Sequence, residues 1–305
     1  MLYSLLAMNE YQGEIIAVLT SLCWSVSPFF FSRAGKAVGS STVNHIRLWI
    51  ALVALMIIHS IAYNNPLPFG IESYRVRWLA LSGFIGFVFG DSCFFEALVL
   101  LGPRLSSLLM LLAPIFSTIL AWIFLGEKLN LYEIIAILVT TGGIASVVSE
   151  TSHNSHPKPQ TYIWGLFLGI GAATGQAGGL LCSKIGMKGS FPPISSNIIR
   201  IATAAICLSI FALLQGKFRN DIKKMKIKNA FRTTFAGAMI GPTMGVVLAL
   251  YAISHTSIGI ASTLMSLSPI FMLPLSHYID KERISRRTII GTFISLAGAS
   301  LLFFL

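Results

Sequence analysis

Apolar runs of close to 20 residues recur along the whole chain, separated by short polar breaks. An α-helix rises about 1.5 Å per residue, so a run of about 20 covers a hydrocarbon layer roughly 30 Å thick. The pattern predicts membrane-crossing helices over residues 14–32, 43–63, 78–99, 104–125, 131–148, 162–182, 195–214, 232–253, 258–279 and 286–305. A membrane barrel would instead show short segments of alternating polarity between turn clusters, whereas these runs are continuously apolar. The expected class is an all-α membrane protein with ten transmembrane helices.

Composition sharpens this picture. The chain is 55% hydrophobic and 11% charged, with a mean hydropathy of +0.78, outside the range of soluble globular proteins. A net charge of +11 raises nucleic acid as a partner, but the basic residues lie between apolar runs and no soluble basic surface is available to hold one. Membrane lipid headgroups are the expected partners of those charges. Cys23, Cys93, Cys182 and Cys207 all fall inside apolar runs, where cysteine behaves as a small hydrophobe. Neither a disulfide framework nor a zinc spacing is present, and no cofactor is expected. The chain start lacks a basic segment and carries Glu10 and Glu14, so the first span is expected to be retained, not cleaved as a signal peptide.

The stretch 149–161, SETSHNSHPKPQT, is the one clear polar, proline-containing linker, and it lies near the midpoint. It separates two units, 13–148 and 162–305, which share polar landmarks in register. Asn44 and Arg47 recur as Asn197 and Arg200 at a shift of 153. Ala113-Pro114-Ile115-Phe116 recurs as Ser268-Pro269-Ile270-Phe271 at a shift of 155. The same shift aligns Ser107 with Ser262, Met110 with Met265, Glu127 with Glu282, Lys128 with Arg283 and Gly143 with Gly298. Shared apolar letters mean little in membrane helices, but polar residues and prolines in register point to duplication. A unit of five spans reverses the sense of entry of its copy, so the repeats are expected to be inverted about an axis in the membrane plane, the arrangement that makes two oppositely open packings nearly equal in energy.

These residues resemble the drug/metabolite transporter superfamily, and within it the ten-span members with tandem EamA-type repeats. In the first half the likeness rests on Leu22-Cys23-Trp24-Ser25, on Arg47, on the run from Ser106 through Pro114 to Glu127-Lys128-Leu129, and on Gly142 or Gly143. In the second it rests on Arg200, Ser268-Pro269, Glu282 and Gly298. Two positions depart from it: Gln176 stands where the first unit has Trp24, and Lys281 precedes Glu282 in place of a glycine. The resemblance implies ten helices around a central cavity, a small-molecule substrate such as an amino acid or related organic solute, a sugar nucleotide, an organic phosphate or a drug, export or exchange by alternating access, protons as the coupling ion, and a bacterial inner membrane.

Asp91 and Glu96 both lie within the third span, and inside a span a carboxylate must be protonated, paired or hydrated. Five residues place them about 140° apart around a helix, so they do not share a face. Arg47 with Asn44, and Arg200 with Asn197, are neighbours three apart on one helical face. Each arginine admits two readings: a bidentate grip on a carboxylate or phosphate, or a staple to a neighbouring helix through Asp91 or a backbone carbonyl. Trp24, His45 and Gln176 are further candidates for the cavity wall. His45 beside Arg47 is either a proton relay or a hydrogen-bonded packing residue. Pro114 and Pro269, read as mid-span, are expected to kink their helices and act as hinges. The glycine rows Gly83, Gly86, Gly90 and Gly237, Gly241, Gly245 are expected to seat neighbouring helices.

Orientation stays open on this reading. The loops after odd-numbered spans hold 15 of the 22 Lys and Arg residues, which places them in the cytoplasm and the termini outside, whereas the resemblance places both termini inside. The alternatives in function are a non-transporting scaffold or receptor, and an intramembrane enzyme. An aspartyl protease lacks its second membrane aspartate, and no HExxH motif or nucleophile elbow occurs. Either a monomer or a homodimer fits the glycine rows.

Overall fold

The computed structural model describes residues 11–125, 131–154, 159–189, 191–255, 264–281 and 284–304, and every regular element among them is a helix. In chain order these are α1 (Gln12–Val38) and α2 (Ser40–Tyr63), then α3 (Ser73–Leu101), α4 (Pro103–Leu109) and α5 (Leu112–Leu125). After them come α6 (Leu131–Asn154), α7 (Pro159–Gly186), α8 (Pro193–Leu214) and the short α9 (Phe218–Lys224). The next helix, α10, runs over Lys228–Ala238, Met239–Gly245 and Val246–His255, and α11 (Ser268–Asp280) and α12 (Arg286–Phe304) complete the set. Among the described residues, α1, α2, α3, α7 and α8 are long and apolar enough to cross a membrane.

The helices extend beyond the apolar runs because hydropathy marks the lipid-facing length, while backbone hydrogen bonding continues into polar ends. Helix also occupies part of the stretch read as a linker, since α6 continues to Asn154 and α7 starts at Pro159. The expected span 258–279 is described from residue 264 onward. Glu127, Lys128, Ser262, Glu282 and Arg283 lie outside the described residues.

Two features break helical regularity at matched places. Helices α3 and α10 each contain a π-helical stretch, Phe84–Gly90 and Met239–Gly245, 155 residues apart. Such stretches widen the turn and redirect the side chains that follow, and Pro242 within the second has no N–H to give to the ladder. The expected single helix over 104–125 is interrupted at Met110 and Leu111, and Ser266 and Leu267 interrupt the chain before α11. Pro114 is therefore the third residue of α5, and Pro269 sits in the first turn of α11. The expectation of mid-helix kinks at Pro114 and Pro269 is corrected: each proline follows a break and starts a helix, where its missing N–H costs nothing.

Packing couples the two halves of the chain. Helix α3 lies along α7, and α10 along α1. Helix α2 pairs with α8, their contact filled by Leu48, Leu52, Leu55, Ile198, Ile201 and Ala205. Helices α6 and α12 pack chiefly on each other. The glycine rows allow these approaches. A Cβ on Gly90 would sit 3.3 Å from Gly175 Cα, and one on Gly86 3.7 Å from Gly179 Cα; in the other half, a Cβ on Gly241 would sit 2.8 Å from Ser27 Oγ and one on Gly245 2.8 Å from Trp24 Nε1. Without a hydrophobic force between helices in lipid, such close backbone contact supplies the packing energy. Gly39, at φ 97, turns the chain between α1 and α2 in a conformation that favours glycine.

Candidate functional site

A cavity of about 370 Å³ lies where the two breaks approach α1 and α7. Ser107, Met110 and Ala113 line it from the first break, and Met265, Ser266 and Pro269 from the second. Trp24, Ser27 and Pro28 of α1, Phe94 of α3 and Gln176 of α7 complete most of the wall. At both breaks the backbone tightens to bonds three residues apart, Leu111 N–H to Leu108 C=O at 3.0 Å and Leu267 N–H to Leu264 C=O at 3.2 Å. Discontinuous helices of this kind bring polar backbone to a membrane-embedded site without exposing it to lipid. The mixture of aromatic, thioether, hydroxyl and amide groups suits a small organic solute.

Next to the cavity sits a buried charged cluster. Arg47 on α2 donates through Nη2 to Asp91 on α3 and through Nε to Asn44 Oδ1 at 3.1 Å. Its guanidinium lies 4.5 Å from the Phe95 ring centroid and 5.6 Å from that of Phe31. Asn44 in turn donates through Nδ2 to Ser92 Oγ at 3.2 Å. Arg47 thus joins α2 to α3 through Asp91. Arg200 on α8 differs. Its guanidinium stacks 4.8 Å from the Phe87 ring centroid and lies within electrostatic reach of Asp91, yet Arg200 Nε and Asn197 Nδ2 are buried with no hydrogen-bond partner among the described residues. The position 155 residues after Asp91 is Val246, so the second half has no carboxylate matching the first.

The other candidates separate. Trp24 and Gln176 line the cavity from equivalent places in the two units, 152 residues apart. Glu96 accepts a hydrogen bond from Ser40 Oγ at the start of α2, away from Asp91. His45 does not line the cavity. Its Nδ1 meets Asp221 Oδ2 at 3.0 Å and its Nε2 meets Ser209 Oγ at 2.9 Å, while Thr42 Oγ1 donates to Asp221 Oδ1 at 2.7 Å. The loop after α8 thus carries α9, whose Asp221 is 5% exposed and pinned to α2.

Ser209, His45 and Asp221 have the connectivity of a hydrolase triad, but the Ser209 hydroxyl is shared between His45 and the backbone. Its Oγ donates to Ala205 C=O at 2.7 Å and accepts from Trp49 Nε1 at 3.0 Å, and the adjoining pocket of about 30 Å³ matches one water molecule. The cluster is a latch. Asp221→Ala leaves His45 and Thr42 without their shared acceptor and is expected to cost about 2 kcal/mol. A lower melting temperature in detergent, with Asp221→Asn less affected than Asp221→Ala, is the check.

Repeat register carried a signal for several wall residues missed as candidates, since Met110 and Met265 are matched positions. Phe94 carried none beyond lying one turn after Asp91.

Helices long and apolar enough to cross a membrane, a cavity at broken helices and buried polar groups fit an integral membrane transporter. The chain belongs to the EamA-like transporter family, which it matches over residues 11–149 and 163–304. It is 25% identical over 164 residues to the uncharacterized inner membrane transporter YhbE of Escherichia coli K12, covering 53% of this chain and 50% of that one, so the match spans about half the length of that relative. It is 23% identical over 290 residues to an uncharacterized transporter of Archaeoglobus fulgidus, covering 95% and 97% of the two chains. A solved crystal structure superposes over 96% of each chain with a TM-score of 0.64 at 15% identity, a likeness of fold.

Proposed function

We propose that this protein is a secondary active transporter, an exporter or exchanger of a small metabolite in a bacterial inner membrane, working by alternating access between two inverted five-helix repeats. The observation that carries this reading is the cavity at two helix breaks, Met110-Leu111 and Ser266-Leu267, which lie within one residue of the 155-residue register, with Trp24 and Gln176 facing it from equivalent helices. Exchange of equivalent contacts between halves would close one side as the other opens. The matched π-helical stretches of α3 and α10 support it, since they lie where these helices pack along α7 and α1. Asp91 is the group to carry a coupling proton, being a carboxylate within a membrane-length helix.

The test is reconstitution into liposomes with a panel of amino acids and related organic solutes, with and without an imposed proton gradient. At least one solute is expected to exchange across the vesicle wall faster than in empty vesicles and to respond to the gradient. Uptake equal to empty vesicles for the whole panel would remove the transport reading.

A further inference from the structure

The two halves treat the same pair of residues differently, and the difference points to a ligand. Asn44 and Arg47 are satisfied: Arg47 has Asp91 and Asn44, and Asn44 has Ser92. Their counterparts Asn197 and Arg200 hold a buried Nδ2 and a buried Nε with no acceptor among the described residues, and Asn197 is 4% exposed. The carboxylate that would answer them by symmetry is replaced by Val246. Charge repeats the argument. Among the described residues Arg47 and Arg200 share the carboxylate of Asp91, so two positive charges face one negative charge inside a membrane protein, a costly arrangement unless an anion joins them.

The Arg200 side chain reaches toward one residue of the cavity wall, Gln176, without itself lining the cavity. Arg200 Nη2 and Gln176 Oε1 lie 3.7 and 4.0 Å from one point, the place a Cβ of Gly86 would take, and Gln176 is part of the cavity wall. With glycine at position 86, no side chain stands between Arg200 Nη2 and Gln176 Oε1 at that point.

We infer that Arg200 and Asn197 bind the anionic head of the transported solute, a carboxylate or phosphate, while the Trp24, Phe94, Met110 and Met265 surface receives an apolar body. This rests on the transport reading and names the chemical class it acts on. The planar guanidinium offers paired donors that match either anion, and the Asn197 amide adds a further donor. The incoming charge completes the triad that Asp91 half neutralises.

The experiment measures the melting temperature of the purified full chain in detergent against benzoate, phenyl phosphate, benzamide and benzylamine, four probes of similar size. Benzoate or phenyl phosphate is expected to raise it saturably, with an apparent affinity at least about tenfold above that of benzamide, a preference worth about 1.4 kcal/mol. Arg200→Gln is expected to abolish the preference and Arg200→Lys to keep part of it, which separates charge from packing. Equal response to benzoate and benzamide, no response to either anion, or an anion preference unchanged in Arg200→Gln overturns the inference. Should Arg200→Gln fail to fold, the wild-type comparison and Arg200→Lys decide it. Transport of neutral or cationic solutes without anions in the vesicle assay would remove the anion site and leave the transport reading standing.

Discussion

Asp91→Asn is expected to stop transport and to destabilise the protein by about 4 kcal/mol, the cost of leaving a buried charge without its partner. The carboxylate answers Arg47 directly and lies within electrostatic reach of Arg200. Removing its charge sets two guanidiniums against each other between α2, α3 and α8, with only neutral amide oxygens, that of Asn44 and that introduced at position 91, left to accept from Arg47. The paired substitution Arg47→Leu with Asp91→Leu separates structure from function. An apolar pair of similar volume removes the desolvation costs of Arg47 and Asp91 but leaves Arg200 without that carboxylate, so part of the lost stability should return, whereas transport should not. Melting temperatures in detergent read the first quantity and vesicle uptake the second. If the double variant transports normally, the pair is a helix staple and nothing more.

The second large effect belongs to the α6–α12 contact. A Cβ on Gly143 would lie 2.4 Å from Ser295 Oγ and 2.6 Å from Ser295 N, and a Cβ on Gly298 would lie 2.5 Å from Thr140 Oγ1 and 2.6 Å from Thr140 N. The two contacts are reciprocal, since Gly143 and Gly298, like Thr140 and Ser295, are 155 residues apart. Neither helix can accept a larger side chain there without separating from its partner. Gly143→Leu or Gly298→Leu is expected to cost about 3 kcal/mol each through overpacking, with similar losses at the two sites because they are one contact seen from both halves. Unequal losses in melting temperature would show that the halves are not equivalent at this seam. Because α6 and α12 pack chiefly on each other, binding of the four aromatic probes should survive in whatever fraction of the variant remains folded.

Much of the architecture can be read without coordinates because lipid is a demanding solvent. It requires backbone hydrogen bonds to close within each segment, so apolar runs of the right length become helices. Duplication is equally legible, since Asn44 and Asn197, Arg47 and Arg200, and Pro114 and Pro269 keep register. Within the charged cluster, the spacing of Asn44 and Arg47 already places them on one face, and they are hydrogen bonded. What local pattern cannot convey is where a helix changes its winding or stops. The apolar run over 104–125 gives no sign of the break at Met110-Leu111, and Phe84–Gly90 reads as ordinary helix. Both depend on what packs alongside: α7 on the glycines of α3, and α11 on α4.

The sequence by itself determined that the chain is helical, membrane-embedded, duplicated, and provided with membrane-buried Asp91, Arg47 and Arg200. Tertiary structure decided how those charges are shared. Asp91 goes to Arg47 because α2 and α3 pack together, His45 turns to Asp221 because α9 folds back on α2, and Arg200 is left with unanswered donors beside Gln176. The reason is distance along the chain: hydrogen bonds within a turn are specified by spacing, but a partner 44 or 176 residues away is selected only when whole helices pack.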